Sequence, residues 1–131
     1  METESIKKIT IHKALTCSLD ESVMDIAKKL RTGKERRIFV VDKSGKMEGI
    51  ITTTDLVYKA LCDGDKCSKM NAKELMVKAV KSVDLNDDFE KALEIMNELK
   101  TFNCPVTDNG KLVGVISYHE LVDYLFNSVK K

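Results

Sequence analysis

Gly49-Ile-Ile-Thr-Thr-Thr-Asp55 returns later in the chain as Gly114-Val-Ile-Ser-Tyr-His-Glu120. Each copy follows an apolar stretch ending in Asp and a Gly-Lys turn: Asp42 with Gly45-Lys46, then Asp108 with Gly110-Lys111. Outward from these motifs the match runs on: Leu19 with Leu85, Val23 with Phe89, Ala27 with Leu93, Leu30 with Met96, Val40 with Val106. One residue drops out at Ser44, in a turn, where a change of length costs little. Ile51 then answers to Ile116 and Leu56 to Leu121. An internal repeat decides the architecture before any single element does. Two copies, rather than a long array, predict a closed pair packed about a pseudo-twofold axis, with paired clefts between the halves. The expected boundaries are 1–66, a first repeat with its lead-in and connector, and 67–131, the second repeat.

Within each repeat the periodicity reads strand, helix, strand, strand, helix, an α/β (α+β) pattern. Residues 14–19 form a short strand. Asp20 or Ser22 caps a helix whose apolar positions Val23, Ile26, Ala27 and Leu30 follow i, i+3, i+4, i+7, a single buried stripe. Gly33 is placed to end it. Ile38-Phe-Val-Val41 is apolar throughout, as in a strand covered on both faces. A hairpin turn at Asp42–Gly45 leads into the paired strand, and a second helix begins near Thr52–Asp55. The second repeat copies these elements, with Phe89, Ala92, Leu93 and Met96 as its first helical stripe. Both final helices carry apolar residues at i, i+1, i+4, i+5 (Leu56, Val57, Ala60, Leu61; Leu121, Val122, Leu125, Phe126), so equivalent surroundings are expected for them. Tyr58, Tyr124 and Phe126 extend these stripes into leftover apolar surface, which predicts a homodimer through helix faces.

Composition narrows the function classes. The 131 residues are 43% hydrophobic, enough for an ordinary core, and hold 22 Lys plus Arg against 21 Asp plus Glu. A net charge of +1 selects neither nucleic acid nor an acidic membrane. No apolar run approaches the roughly 20 residues that span a bilayer, and no signal pattern opens the chain, so a cytoplasmic location is expected. Cys17 and Cys104 lie in apolar strands and read as small buried hydrophobes. Cys62 and Cys67 flank an Asp-Gly-Asp loop at a spacing unsuited to zinc, so no metal is expected.

The ordered double set of motifs resembles a tandem pair of CBS domains, a Bateman module. The pattern is two β-α-β-β-α units with G-h-x-[ST]-x-x-[DE] at the start of each final helix. Glu74-Leu-Met76, Asn103-Cys-Pro-Val-Thr-Asp108 and Gly110-Lys-Leu-Val-Gly-Val-Ile-Ser117 match that family's wording. The resemblance covers essentially the whole chain. It implies a regulatory module, without a required cofactor, that binds an adenosine-bearing ligand (AMP, ADP, ATP or S-adenosylmethionine) in the clefts between repeats.

Physical chemistry gives the motif means to do so. Thr52 or Ser117 offers a hydroxyl at a helix start, where unpaired N–H groups and the helix dipole suit a phosphate oxygen. Asp55 or Glu120, three residues on, can accept from a ribose diol. Ile51 or Ile116 could floor an adenine, and Gly49 and Gly114 remove a side chain where strand and ligand would crowd. Ser117-x-x-Glu120 is also a capping box, and Thr52-x-x-Asp55 nearly one, and such a box needs no ligand. The copies are unequal: Glu120 adds a methylene and Tyr118 and His119 add bulk, so one good site is expected, organised by Asp55, and one weak or empty one. By the resemblance, phosphate falls to the basic residues before the second strand, Lys34, Arg36 and Arg37, with the planar fork of Arg36 preferred. The equivalent segment of repeat 2 carries no charge, and Phe102 there could stack on a base or join the core. The first strands, Ala14–Leu15 and Ala79–Val80, would supply backbone contacts to adenine.

Catalysis is not expected: His12 and His119 lack a nucleophile partner at recognisable spacing, and there is no Walker loop. The leading reading is a ligand sensor signalling to a separate effector protein. The alternative is a structural or nucleic-acid-accessory dimerisation scaffold with vestigial clefts.

Overall fold

The structure, a computed structural model, describes residues 5–78 and 80–129. The chain divides into two compact units, Leu15–Val80 and Met1–Ala14 with Lys81–Lys131. The boundaries differ from 1–66 and 67–131 because each lead-in packs with the repeat it does not precede. In the first unit, Ala72 N–H donates to Glu21 O, Lys73 N–H to Leu19 O and Val23 N–H to Met70 O. In the second, Ile6 N–H donates to Asp87 O, the counterpart of the Ala72 bond, and Ser5 Oγ–H donates to Leu85 O.

The first unit runs β1 (Thr16–Ser18), α1 (Val23–Gly33), β2 (Arg37–Val41), β3 (Met47–Thr52) and a short α2 (Thr53–Asp55). A π-helical turn, Leu56–Ala60, a 3-10 segment, Leu61–Lys69, and α3 (Ala72–Leu75) follow. The second unit holds a 3-10 turn at Ile6–Lys8, β4 (Val83–Asp84), α4 (Phe89–Leu99), β5 (Asn103–Asp108), β6 (Lys111–Ser117) and α5 (Tyr118–Val129). Each has a three-stranded sheet, ordered β1-β2-β3 or β4-β5-β6, with the first pair parallel and the second antiparallel. Both sheets shift register at the same repeat position, after Val40 and after Val106.

Differences between the repeats have local causes. Phe39 N–H donates to Leu15 O, so β1 begins pairing at Thr16 with Phe39. Pro105 stands at Phe39's place and has no N–H to give. The parallel pairing of β4 accordingly starts one step later, at Val83 with Val106. The lost residue changes the hairpin. In the first unit Asp42 Oδ1 accepts from Ser44 N, Ser44 Oγ and Lys46 N, and the Ser44 hydroxyl leads in holding that carboxyl below its usual range. In the second, Asn109 and Gly110 both take positive φ, 52° and 84°, giving the tight two-residue turn those residues favour.

The expected helical stripes face the cores, with Ala27 and Leu93 half-buried at their margins. Val23, Ile26 and Leu30 meet Ile38, Val40 and Ile51 in one core; Phe89, Ala92 and Met96 meet Cys104, Val106 and Ile116 in the other. Volumes trade between copies, Val23 and Ile26 becoming Phe89 and Ala92, which conserves the filled space. Ser22 caps α1 by accepting from Asp25 N–H at 3.2 Å, and Asp88 caps α4 by accepting from Lys91 N–H at 3.1 Å. Gly33 is not the left-handed terminator: it is the last helical residue, and Lys34 turns left-handed at φ 54°, as Lys100 does in the second unit. Of the final stripes only Leu56 and Ala60, and Leu121 and Leu125, face a core; Val57, Leu61, Val122 and Phe126 are exposed in matching fashion. Tyr124 does not extend the apolar surface, because it packs edge-on against Phe89.

Cys17 and Cys104 are buried, as their apolar strands predict. Burial pushes their thiols up to about 12 and about 11, with Glu21 adding to the rise at Cys17. Since the thiolate is the reactive form, brief alkylation of the native chain at mildly alkaline pH should mark exposed Cys62 and spare Cys17 and Cys104 until denaturant is added. Peptide mass spectrometry reads the order, and early labelling of either buried thiol would contradict these cores.

Candidate functional site

Strand β3 delivers Thr52 to the start of α2, and Thr52 and Asp55 close a full capping box. Thr52 Oγ1 accepts from Asp55 N–H at 3.2 Å, while Asp55 Oδ2 accepts from Thr52 N–H at 2.9 Å and from the Thr52 hydroxyl at 3.0 Å. The first-turn Thr53 N–H is also used, donating to Arg36 O at 2.9 Å. Among the described residues, Asp55 Oδ1 meets the Lys59 ammonium, 3.5 Å away, and Lys59 also donates to Leu75 O at 3.2 Å. One carboxylate oxygen is therefore saturated and oriented, and the other keeps acceptor capacity.

Two arginines flank this turn. Arg37 is the register partner of Thr52 across the sheet, and Arg36 is exposed one residue earlier with its carbonyl on Thr53. The strand pairing thus brings Thr52, Asp55, Arg36 and Arg37 to one edge of the first unit. Lys34 lies two residues before Arg36 and is exposed.

Several expected residues lie elsewhere. Ile51 and Ile116 are 0% exposed within their cores and cannot floor a base. Alternation along β3 and β6 turns them inward and leaves the half-buried Ile50 and Val115 on the opposite face. Leu15 O accepts from Phe39 N–H, and the Leu15 side chain packs at the core margin. Ala14 and Val80 are half-buried, and Ala79 lies outside the described residues. Phe102 is 71% exposed, hence no core residue; it meets Tyr118 edge-on at 6.0 Å. Beside this pair runs a cavity of about 310 Å³, lined by Leu93, Met96, Asn97, Lys100 and Thr101.

The glycines serve a different neighbour from the one expected. A Cβ on Gly49 would lie 2.8 Å from Val77 O and from Met76 Sδ, and one on Gly114 would lie 2.3 Å from His12 O. The crowding partner is each unit's lead-in backbone, bonded to β3 through Ile50 and Val77 and to β6 through Val115 and His12.

The second motif keeps the hydroxyl cap: Ser117 Oγ accepts from Glu120 N–H at 3.2 Å, and Tyr118 N–H donates to Phe102 O as Thr53 does to Arg36 O. Its carboxylate behaves differently. Glu120 Oε1 lies 2.7 Å from His12 Nε2, a contact across the fold that nothing local in the sequence signals. No cluster of three or more metal-ligating side chains occurs among the described residues, and no helix among them is long and apolar enough to cross a membrane.

Comparison with known proteins supplies a frame for this geometry. A family model, CBS domain, matches residues 6–61 and again 72–127. An uncharacterised protein of Methanopyrus kandleri is 26% identical over 123 residues, which are 93% of this chain and 63% of that protein, so the chain spans less than two thirds of its length. Among solved structures, Hypoxic Response Protein I with two coordinated zinc ions superposes with a TM-score of 0.77 at 20% identity, covering 92% of this chain and 98% of that one. The cytosolic domain of the Mg2+ channel MgtE in complex with ATP superposes with a TM-score of 0.71 at 23% identity, covering 85% of this chain and 44% of that one.

Proposed function

Since the chain belongs to the CBS domain family, with two tandem copies of that domain, we propose that it is a regulatory rather than catalytic module whose first motif takes an adenosine-bearing ligand. The observation that carries this reading is the Asp55 carboxylate. Its Oδ2 is fixed by Thr52, and its Oδ1 is left with one cation at 3.5 Å, able to accept from a ribose hydroxyl. Arg36 and Arg37, on the same edge, supply positive charge for phosphate. That MgtE's cytosolic domain holds ATP makes a nucleotide the first ligand to try. The exposed faces at Val57, Leu61, Val122 and Phe126 favour a homodimer, and the output passes to a separate effector protein.

Thermal-shift titration with AMP, ADP, ATP and S-adenosylmethionine tests the reading. A ligand that binds the folded chain at 100 times its Kd stabilises it by about 2.7 kcal/mol, so at least one of the four should raise the melting temperature by several degrees. Flat curves with all four would leave the scaffold reading standing. Light scattering on the same samples gives the mass, and a monomer would remove the dimer.

A further inference from the structure

We propose that His12 makes the two motifs unequal, by holding the Glu120 carboxylate and so weakening the second motif for a diol-bearing ligand; this rests on the ligand reading of the motif given above. The duplication lets the residue be judged against its own counterpart. His12 pairs through both backbone bonds with Val115 of β6, at 2.8 Å each. The matching residue on β3 is Ile50, and its partner is Val77, an apolar side chain with nothing to offer a carboxylate. Asp55 accordingly turns back onto Thr52 and keeps Oδ1 within reach of a ligand, whereas Glu120, one methylene longer, reaches the lead-in strand and bonds His12. An ionised carboxylate only accepts, so the imidazole Nε2–H is the donor. The His12 backbone is held in place by the close approach of its carbonyl to Gly114, which leaves no room for a Cβ.

His12 fixes the carboxylate through Oε1, so a bound ribose must either use Glu120 in the orientation the lead-in imposes or take Oε1 from the imidazole. The imidazole is 53% exposed, so releasing this contact should strengthen binding at the second motif by about two- to fivefold. The sequence difference that matters is then His12 against Val77, besides Glu120 against Asp55.

Calorimetric titration of the full chain with ATP, AMP and S-adenosylmethionine, repeated on His12→Val, His12→Ala and His12→Val/Glu120→Ala, tests the latch. The wild type should take one ligand tightly per chain, either single variant should bind a second about two- to fivefold more tightly than the wild type does, and the double variant should lose that gain. A histidine that only supports the fold would change the melting temperature and leave the stoichiometry and affinity as they were. If both single variants bind with wild-type stoichiometry and affinity, including none at all, the latch is wrong. If the wild type binds nothing and the single variants bind one ligand, the latch stands and the assignment of the first motif fails.

Discussion

Asp55→Ala should abolish most of the ligand-induced rise in melting temperature and weaken ligand binding by about 10- to 100-fold, the usual worth of hydrogen bonds to a charged acceptor. Alanine removes both roles of the carboxylate at once: the bonds from Thr52 N–H and its hydroxyl, and the free acceptor at Oδ1. The cap alone is worth about 1 kcal/mol of stability, so the unliganded variant should melt only a few degrees early. Binding and folding separate in the comparison with Asp55→Asn, which can still accept at its amide oxygen but carries no charge. Glu120→Ala is the paired control and should leave the wild-type ligand shift in place, because that carboxylate is already held by His12. A full ligand shift in Asp55→Ala would dismiss the first motif as the site.

Gly114→Ala should be the most damaging single methyl in the chain, costing about 1–3 kcal/mol or more. The new Cβ would meet His12 O at 2.3 Å and Ile11 Cγ2 at 2.7 Å, and the first of these is backbone tied to Val115 by two hydrogen bonds. To make room, the lead-in strand must leave β6. Gly49→Ala should follow: its backbone contact, Val77 O, is less severe at 2.8 Å, and the Met76 thioether can swing away. Gly45→Ala meets nothing within 4 Å but must hold φ +91°, a backbone cost of about 1–2 kcal/mol. Urea midpoints should rank Gly114→Ala below Gly49→Ala. Equal midpoints for those two would mean that the lead-ins are not clamped as described.

The helical stripes of α1 and α4 were readable from spacing alone, since a 3.6-residue period has one buried face whatever it packs against. A turn at Gly110 was readable because few residues accept positive φ, whereas Asn109's share in it was seen only in the structure. Reading Ile51 and Ile116 as a floor for adenine failed for a plain reason: an apolar residue before a hydroxyl fits a ligand wall and a core equally well. Only the direction of the strand decides between them. The end of α1 at Gly33 was readable, but the left-handed turn falls on Lys34, because a C-cap bond pattern can impose that conformation on lysine.

By itself the sequence determined the duplication, the β-α-β-β-α order, a cap for the first helix at Asp20 or Ser22, and the Thr52–Asp55 spacing. Apart from the duplication, which is read by matching the chain against itself, these arise from residues within about four positions of one another, where chain geometry leaves few choices. Only the tertiary structure decided that each lead-in pairs with the far repeat, that Gly49 and Gly114 make way for backbone, and that His12 reaches Glu120. Those contacts join residues distant along the chain, and their partners are selected by which edge of a sheet remains unpaired once the local elements have formed.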